Sequence, residues 1–201
     1  MAIDTVVFDL GNVLIDWNPN HLFNKIFDKQ EDKDFFFRNI CTDEWHAKQD
    51  AGRSTKEATD ELVQKHPNWA HPIRAFYARW KEMFSGTIEG SVTILHQLKN
   101  KGYKLYALTN WSAELFEQTA PDYPFLQWFE GIVKSGDEGV NKPDERIYQI
   151  LFDRYHITPG NALFIDDREK NEAAAQKLGM RGIVFQSPEQ LRKELVELNL
   201  L

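Results

Sequence analysis

Short apolar runs that end abruptly on polar side chains occur once at the start of this chain and repeatedly in its second half. The first is Thr5-Val-Val-Phe-Asp-Leu-Gly-Asn-Val13, in which β-branched and aromatic residues lead to Asp9. A continuous run of this kind suits a central strand of a parallel sheet covered on both faces, with Asp9 at its tip. Further strands are expected over 103–108, 131–134, 161–165 and 182–185. Helical patterns separate them at 89–101, from about Ser112, at 144–155, at 169–178 and after Ser187. Gly102 and Gly179 read as stops after two of these helices, and Ser187-Pro-Glu-Gln190 as a doubly capped start for the last.

Between the first strand and Phe84 the pattern is different. Asn18-Pro19 reads as a helix start, and Leu22, Phe23, Ile26 and Phe27 form a first helical stripe. Phe35, Phe36, Phe37 and Ile40 suggest a second, followed by a break at Gly52. Ser54-Thr-Lys-Glu57 is a capping box opening a helix with Ala58, Leu62 and Val63 on its face. Trp69, Ile73, Phe76, Tyr77 and Trp80 then recur at helical spacing, and no strand pattern is visible in this block.

The alternation predicts an α/β fold, a Rossmann-like parallel sheet with helices on both faces, carrying a small all-helical insertion after the first strand. Residues 1–18 and 85–201 are expected to form the α/β core. Residues 19–84 are expected to form a separate bundle hinged above the sheet's active edge, placed to act as a lid.

Composition narrows the function. With 201 residues and 42% hydrophobic content, the chain can bury one substantial core. A formal net charge of −7 and the lack of a lysine or arginine cluster argue against nucleic acid and anionic membrane surfaces as partners. Cys41 is the only cysteine, which excludes an intrachain disulfide, a thiolate metal cluster and a CxxC redox pair. No apolar run approaches the roughly 20 residues that span a bilayer, and the chain enters a strand without a leader pattern, so the cytoplasm is the expected compartment.

The strand ends carry the chemistry, because ligands of open α/β sheets bind just beyond the carboxyl ends of the strands. Strand two ends in Thr109-Asn110, a hydroxyl and an amide able to hold an anionic oxygen. Lys142, in Asn141-Lys-Pro-Asp144, stands beyond strand three and could balance carboxylates and a phosphate. Strand four ends in Asp166-Asp167. Helix capping would explain one acid there, but not two. Asp, Thr-Asn, Lys and Asp-Asp converging on one crevice read as a Mg²⁺ and phosphate site, since Mg²⁺ takes oxygen ligands and commonly pairs one or two carboxylates with phosphate. Asp9 could attack phosphorus, with the metal and Lys142 neutralising charge on the transferring group.

In order and spacing, Asp9, Thr109, Lys142 and Asp166-Asp167 resemble the four motifs of the haloacid dehalogenase superfamily of aspartate-nucleophile phosphatases, and residues 19–84 resemble the helical cap it inserts after motif one. Phe8-Asp-Leu-Gly-Asn-Val13, Asp122-Tyr-Pro124, Lys142-Pro-Asp144 with Ile147-Tyr148, and Phe164-Ile-Asp-Asp167 look like its bacterial α-D-glucose-1-phosphate phosphatase group. The chain is less closely similar to the phosphatase domain of soluble epoxide hydrolase. The resemblance implies catalysis by Asp9 and Lys142, and phosphate binding by Thr109, Asn110 and Lys142. It implies metal ligation by Asp9, the Gly11 carbonyl and Asp167, with Asp166 as an outer partner of the metal or of Lys142.

One position departs from the family pattern. The usual second aspartate, two residues after the nucleophile, is Gly11 here, and no side chain there can move a proton. General acid-base help contributes typically 10²–10⁴-fold, so a sugar phosphate with a less basic anomeric leaving oxygen is favoured over a primary-alcohol phosphate. Asp16, His46 and Asp50 are other candidates for proton transfer, each with a bland alternative as cap or solvated face. Trp17 and Trp45 could line a sugar pocket, whereas Trp69 and Trp80 suit a bundle core. The leading expectation is a phosphatase for a small phosphorylated metabolite such as glucose 1-phosphate. Alternatives are a metal-free dehalogenase of 2-haloacid type, which Asp166-Asp167 disfavour, and a non-catalytic phosphate-binding regulator. A phosphomutase would need the missing base. Oligomeric state stays open, with the aromatic stretch from Tyr123 to Phe129 serving either as an interface or as loop packing.

Overall fold

The computed structural model describes residues 2–201. The chain opens with β1 (Thr5–Phe8), all four residues buried, and a loop leads into β2 (Ile15–Trp17). The insertion follows as α1 (Asn20–Phe23), α2 (Gln30–Asn39), α3 (Asp43–Asp50), α4 (Thr55–Lys65) and α5 (Ala70–Ala78), and the chain returns through β3 (Phe84–Thr87). Regular alternation then runs α6 (Glu89–Asn100), β4 (Lys104–Thr109), α7 (Ala113–Thr119), β5 (Gly131–Lys134), α8 (Ser135–Glu138), α9 (Glu145–Tyr155), β6 (Ala162–Asp166), α10 (Glu169–Lys177), β7 (Arg181–Val184) and α11 (Pro188–Glu197).

The five-stranded sheet has the order β5-β4-β1-β6-β7 and every neighbouring pair is parallel. β1 lies in the middle, where the chain order reverses, and this is the place such sheets reserve for ligands. Period-two alternation sends Val6 and Phe8 to one face, against Ile94, Leu95 and Leu98 of α6 and Leu191 and Leu195 of α11. Val7 faces the other side, with Ile147, Tyr148 and Leu151 of α9 and Ala175 of α10. The expected doubly covered parallel sheet is therefore present.

Local signals acted as read. Asn18 Oδ1 accepts from Asn20 N–H at 2.9 Å ahead of α1, Ser54 Oγ accepts from Glu57 N–H at 3.3 Å, and Ser187 Oγ accepts from Gln190 N–H at 3.2 Å. Gly102 and Gly179 sit at φ +86° and +91°, where a side chain would be strained and helix stops are favoured.

Three features differ from the sequence pattern. β2 and β3 pair antiparallel into a two-stranded stalk at the root of the insertion, Ile15 against Thr87 and Trp17 against Phe84. Strands this short, joined across the whole insertion, leave no local periodicity to read. α3 has no apolar stripe; Thr42 Oγ1 starts it by accepting from Trp45 N–H at 3.1 Å, with Asp43 and Glu44 in the first turn. Third, the hydrophobic core of the insertion is continuous with one face of the sheet through Val13, Leu14, Ile15 and Leu22, rather than closed off as its own bundle. The aromatic stretch forms 3₁₀ turns with Tyr123, Phe125 and Leu126 buried, which is loop packing. Among the described residues no helix is long and apolar enough to cross a membrane.

Candidate active site

Asp9 follows the last residue of β1, and its N–H continues the sheet ladder to Ile165 O at 2.8 Å. Its Oδ1 accepts from Leu10 N–H at 2.7 Å and forms an ion pair with Lys142 Nζ at 3.0 Å. Lys142 is buried, and its ammonium also donates to Leu108 O and to Asp166 Oδ2, each at 2.7 Å. Two of its protons are thereby directed at neighbouring strand tips while the ammonium pairs with Asp9, which fixes it as a rigid positive centre with one donor left for a ligand.

Asp166 has no exposed surface and is fully engaged. Oδ1 accepts from Arg168 N–H at 2.8 Å and Asn171 Nδ2 at 2.9 Å, while Oδ2 takes the Lys142 bond. Asp167 is half-buried and lines the cavity beside Asp9. One carboxylate oxygen from each of Asp9, Asp166 and Asp167 lies within 4.8 Å of the others. Burial pushes the Asp9 carboxyl up to about 7, with Asp166 and Asp167 adding to the rise and Lys142 opposing it. Asp167 is raised for the same reasons, burial first and then Asp166. Burial works against the Lys142 charge, but Asp166 and Asp9 outweigh it and hold its pKa above the ordinary lysine value. Three acids against one lysine leave a local deficit of positive charge, and the donors are all oxygen, so the set fits a hard divalent cation.

Thr109 ends β4, is buried, and lines the same cavity. Asn110 lines the cavity too, and its side chain has a further task. Its Oδ1 accepts from Lys142 N–H at 2.8 Å and its Nδ2 donates to Lys142 O at 3.0 Å, holding the Lys142 main chain next to the cis Lys142–Pro143 bond. Gly11 lies at the cavity wall with nothing within 4 Å of where a Cβ would stand.

A cavity of about 450 Å³ opens over these strand tips, a volume suited to a small metabolite. The insertion supplies its far wall through Trp80, Phe84, His46 and Asp50, and the core adds Trp111 and Trp17. Trp17 stacks on His46 with ring centroids 5.6 Å apart, and Phe84 stacks on Trp111 at 5.6 Å. Trp17, Trp80 and Trp111 each keep a buried indole N–H without a protein partner, and Asn141 and Asn171 each keep a buried amide oxygen in that condition.

Several candidates thus change place. Trp80 is core, as read, and lines the cavity as well, while Trp45, expected at the pocket, packs on Phe76 and Tyr77 outside it. Trp69 is core, stacked on Phe36. Asp16 is held on the stalk by Ser85 and His21 and does not line the cavity. Asn171, which orients Asp166, was missed; its only signal is its place in the first turn of the helix after Asp166-Asp167.

Residues 6–185 match the model of the haloacid dehalogenase-like hydrolase family. The chain belongs to this family. Among curated relatives of this hydrolase, a sesquiterpene phosphatase of Aspergillus oryzae is 28% identical over 180 residues, covering 88% of this chain and 87% of that protein. Among solved structures, a predicted HAD-like family hydrolase of Porphyromonas gingivalis superposes with a TM-score of 0.76 at 19% identity, covering 99% and 98% of the two chains. A HAD family enzyme of Bacteroides thetaiotaomicron, in complex with magnesium and inorganic phosphate, superposes at 0.70 with 21% identity over 92% of this chain and 96% of that one.

Proposed function

We propose that this family member is a Mg²⁺-dependent phosphatase of a small, oxygen-rich phosphate ester, a sugar phosphate such as glucose 1-phosphate being the foremost candidate. The observation that carries the reading is the Lys142 ammonium bonded at once to Asp9 and Asp166, with Asp167 completing a three-carboxylate cluster. Asp9, Asp167 and the Gly11 carbonyl would hold the metal, and Asp166 would orient Lys142 from behind. When bound, Mg²⁺ supplies the positive charge that the cluster lacks and lets a phosphate dianion approach the Asp9 carboxylate.

The chain's own groups then have separate tasks. Lys142 holds Oδ1 of Asp9, which leaves Oδ2 to attack phosphorus and form the aspartyl phosphate. Thr109 and Lys142 receive phosphoryl oxygens, and Asn110 keeps Lys142 in register. Residues 19–84 act as a cap over the core of 1–18 and 85–201, excluding water during transfer.

The substrate class follows from the wall. The rings of Trp17, Trp80 and Trp111 line the cavity together with the polar side chains of His46, Asp50 and Asn141. Hydroxyl groups of a sugar would bond to the polar lining while its apolar face stacks on the rings, whereas a hydrocarbon tail would cover those polar groups without bonding to them. The sesquiterpene phosphatase relative keeps a terpenyl phosphate as a second reading. A dehalogenase is disfavoured because three clustered carboxylates repel one another without a cation. A panel of sugar, terpenyl and aryl phosphates, with 2-haloacids alongside, decides. The expected result is phosphate release from sugar phosphates with Mg²⁺ and none with a chelator. Preference for terpenyl phosphates overturns the substrate class. Halide release in the presence of chelator, or no release from any ester, overturns the phosphatase reading.

A further inference from the structure

A phosphatase built on Asp9 needs a proton for the departing oxygen and later a base for water, and Gly11 offers neither. The cavity lining narrows the replacement. Asp144 caps α9 and is tied to Arg146, Asp16 is outside, and Asp43 and Glu44 are exposed on the first turn of α3. What remains facing the strand tips from the insertion is the pair on the last turns of α3, His46 and Asp50, each side chain only 14% exposed. His46 Nε2 stands 3.7 Å from Asp50 Oδ2, and its Nδ1 is 3.0 Å from Tyr77 Oη.

The core holds this turn in place by direct bonds. Ser135 Oγ donates to Asp50 O at 2.6 Å while accepting from Trp111 N–H at 2.9 Å, and Asn141 Nδ2 donates to Ala47 O at 2.6 Å. Asn141 and Trp111 directly adjoin Lys142 and Asn110 in sequence. The two close-packed glycines at this seam, Gly52 against Gly136 O, bring the backbones to within side-chain distance. Asp50 thereby lines the same cavity as Asp9, Asp167 and Arg168.

We propose that Asp50, paired with His46, is the general acid and base of this enzyme, carried by the insertion in place of the acid missing at Gly11. This rests on the phosphatase reading above. In the first step the Asp9 oxygen-to-phosphorus bond forms and the phosphorus-to-leaving-oxygen bond breaks, its electron pair going to the leaving oxygen, which takes the Asp50 proton. In the second, water oxygen bonds phosphorus, the Asp9 bond breaks with its pair returning to the carboxylate, and the water's proton goes to Asp50. One water is consumed and both acids are restored. Burial raises the Asp50 carboxyl above its ordinary value, with His46, the Ser112 N–H and Arg168 opposing, so a proton-bearing form is accessible. His46 is the positioning partner, held by Tyr77 and the Trp17 stack.

The test compares leaving groups in the full-length protein with Mg²⁺. Asp50→Asn should lower sugar phosphate turnover by about 10²–10⁴-fold. With an aryl phosphate, whose leaving oxygen needs no proton, the same variant should release about one phenol per active site in a rapid burst and then stall for want of a base. His46→Gln should show a smaller loss with the same leaving-group bias. Gly11→Asp, for which the structure has open space, should restore turnover to Asp50→Asn. Equal losses on both esters without a burst, in a folded Asp50→Asn or His46→Gln protein, overturn the proposal, as does wild-type sugar phosphate turnover in either variant. Absence of phosphate release by the wild-type protein from both esters instead overturns the phosphatase reading beneath it.

Discussion

The two walls of the cavity are built on opposite principles. On the sheet side Lys142 donates to Leu108 O and to Asp166 Oδ2 and pairs with Asp9, and Asp166 accepts from a lysine, an asparagine and a main-chain N–H. On the opposite side His46 and Asp50 stand 3.7 Å apart, and Trp17 and Trp80 line the cavity with rings that make no polar bond. A fully bonded network cannot rearrange, which suits groups that must meet phosphorus in one geometry. Ring faces and a more loosely paired His46 and Asp50 suit recognition, because they make their contacts only when a substrate arrives.

The sharpest break of this contrast is at Asp9. Asp9→Asn should lower turnover by on the order of 10⁴-fold or more while leaving the fold in place, since the amide keeps the size and can still accept from Leu10 N–H. Chelation of Mg²⁺ should abolish activity reversibly, with re-addition restoring it; full activity in chelator would remove the metal from the account. Lys142→Met comes next and separates the walls by stability. It strands buried Asp166 without its counter-charge, at about 3–5 kcal/mol, so the melting temperature should fall by on the order of 10 °C. Trp17→Phe on the opposite wall should barely move the melting temperature. It trims a ring that lines the cavity beside His46, which predicts a KM for sugar phosphate raised by roughly 5–10-fold with kcat near wild type, a loss of about 1 kcal/mol. Equal destabilisation by Lys142→Met and Trp17→Phe in thermal melts would erase the distinction.

Legibility in the sequence followed the same division. The sheet side could be read because each strand is a local apolar run and each catalytic candidate is the first polar residue after it, so Asp9, Thr109 and Asp166-Asp167 were located by the rule that also builds the sheet. Lys142 lies in a loop and was found through its place before the α9 cap. What the rule could not supply was occupancy: nothing in Thr109-Asn110 says that the amide closes on the Lys142 main chain, a contact made across a crossover. The insertion was read correctly for α2 and α4, whose phenylalanine and capping signals are local. α3 escaped because its sequence, Asp-Glu-Trp-His-Ala-Lys-Gln-Asp, carries no apolar stripe, and the helix is held by its main-chain carbonyls, which accept from Ser135 and Asn141 of the core. Trp45 missed the cavity and core Trp80 reached it because helical spacing fixes which residues share a face, not which face meets a cavity.

The central claim is that Asp9 itself carries the phosphoryl group. Rapid acid quenching of the Mg²⁺-loaded protein during turnover of an aryl phosphate, followed by peptide mass analysis, tests it directly. The account predicts one added phosphoryl group on the peptide containing Asp9, labile to hydroxylamine and absent from Asp9→Asn. Turnover without that adduct, or an adduct on any other residue, would contradict it.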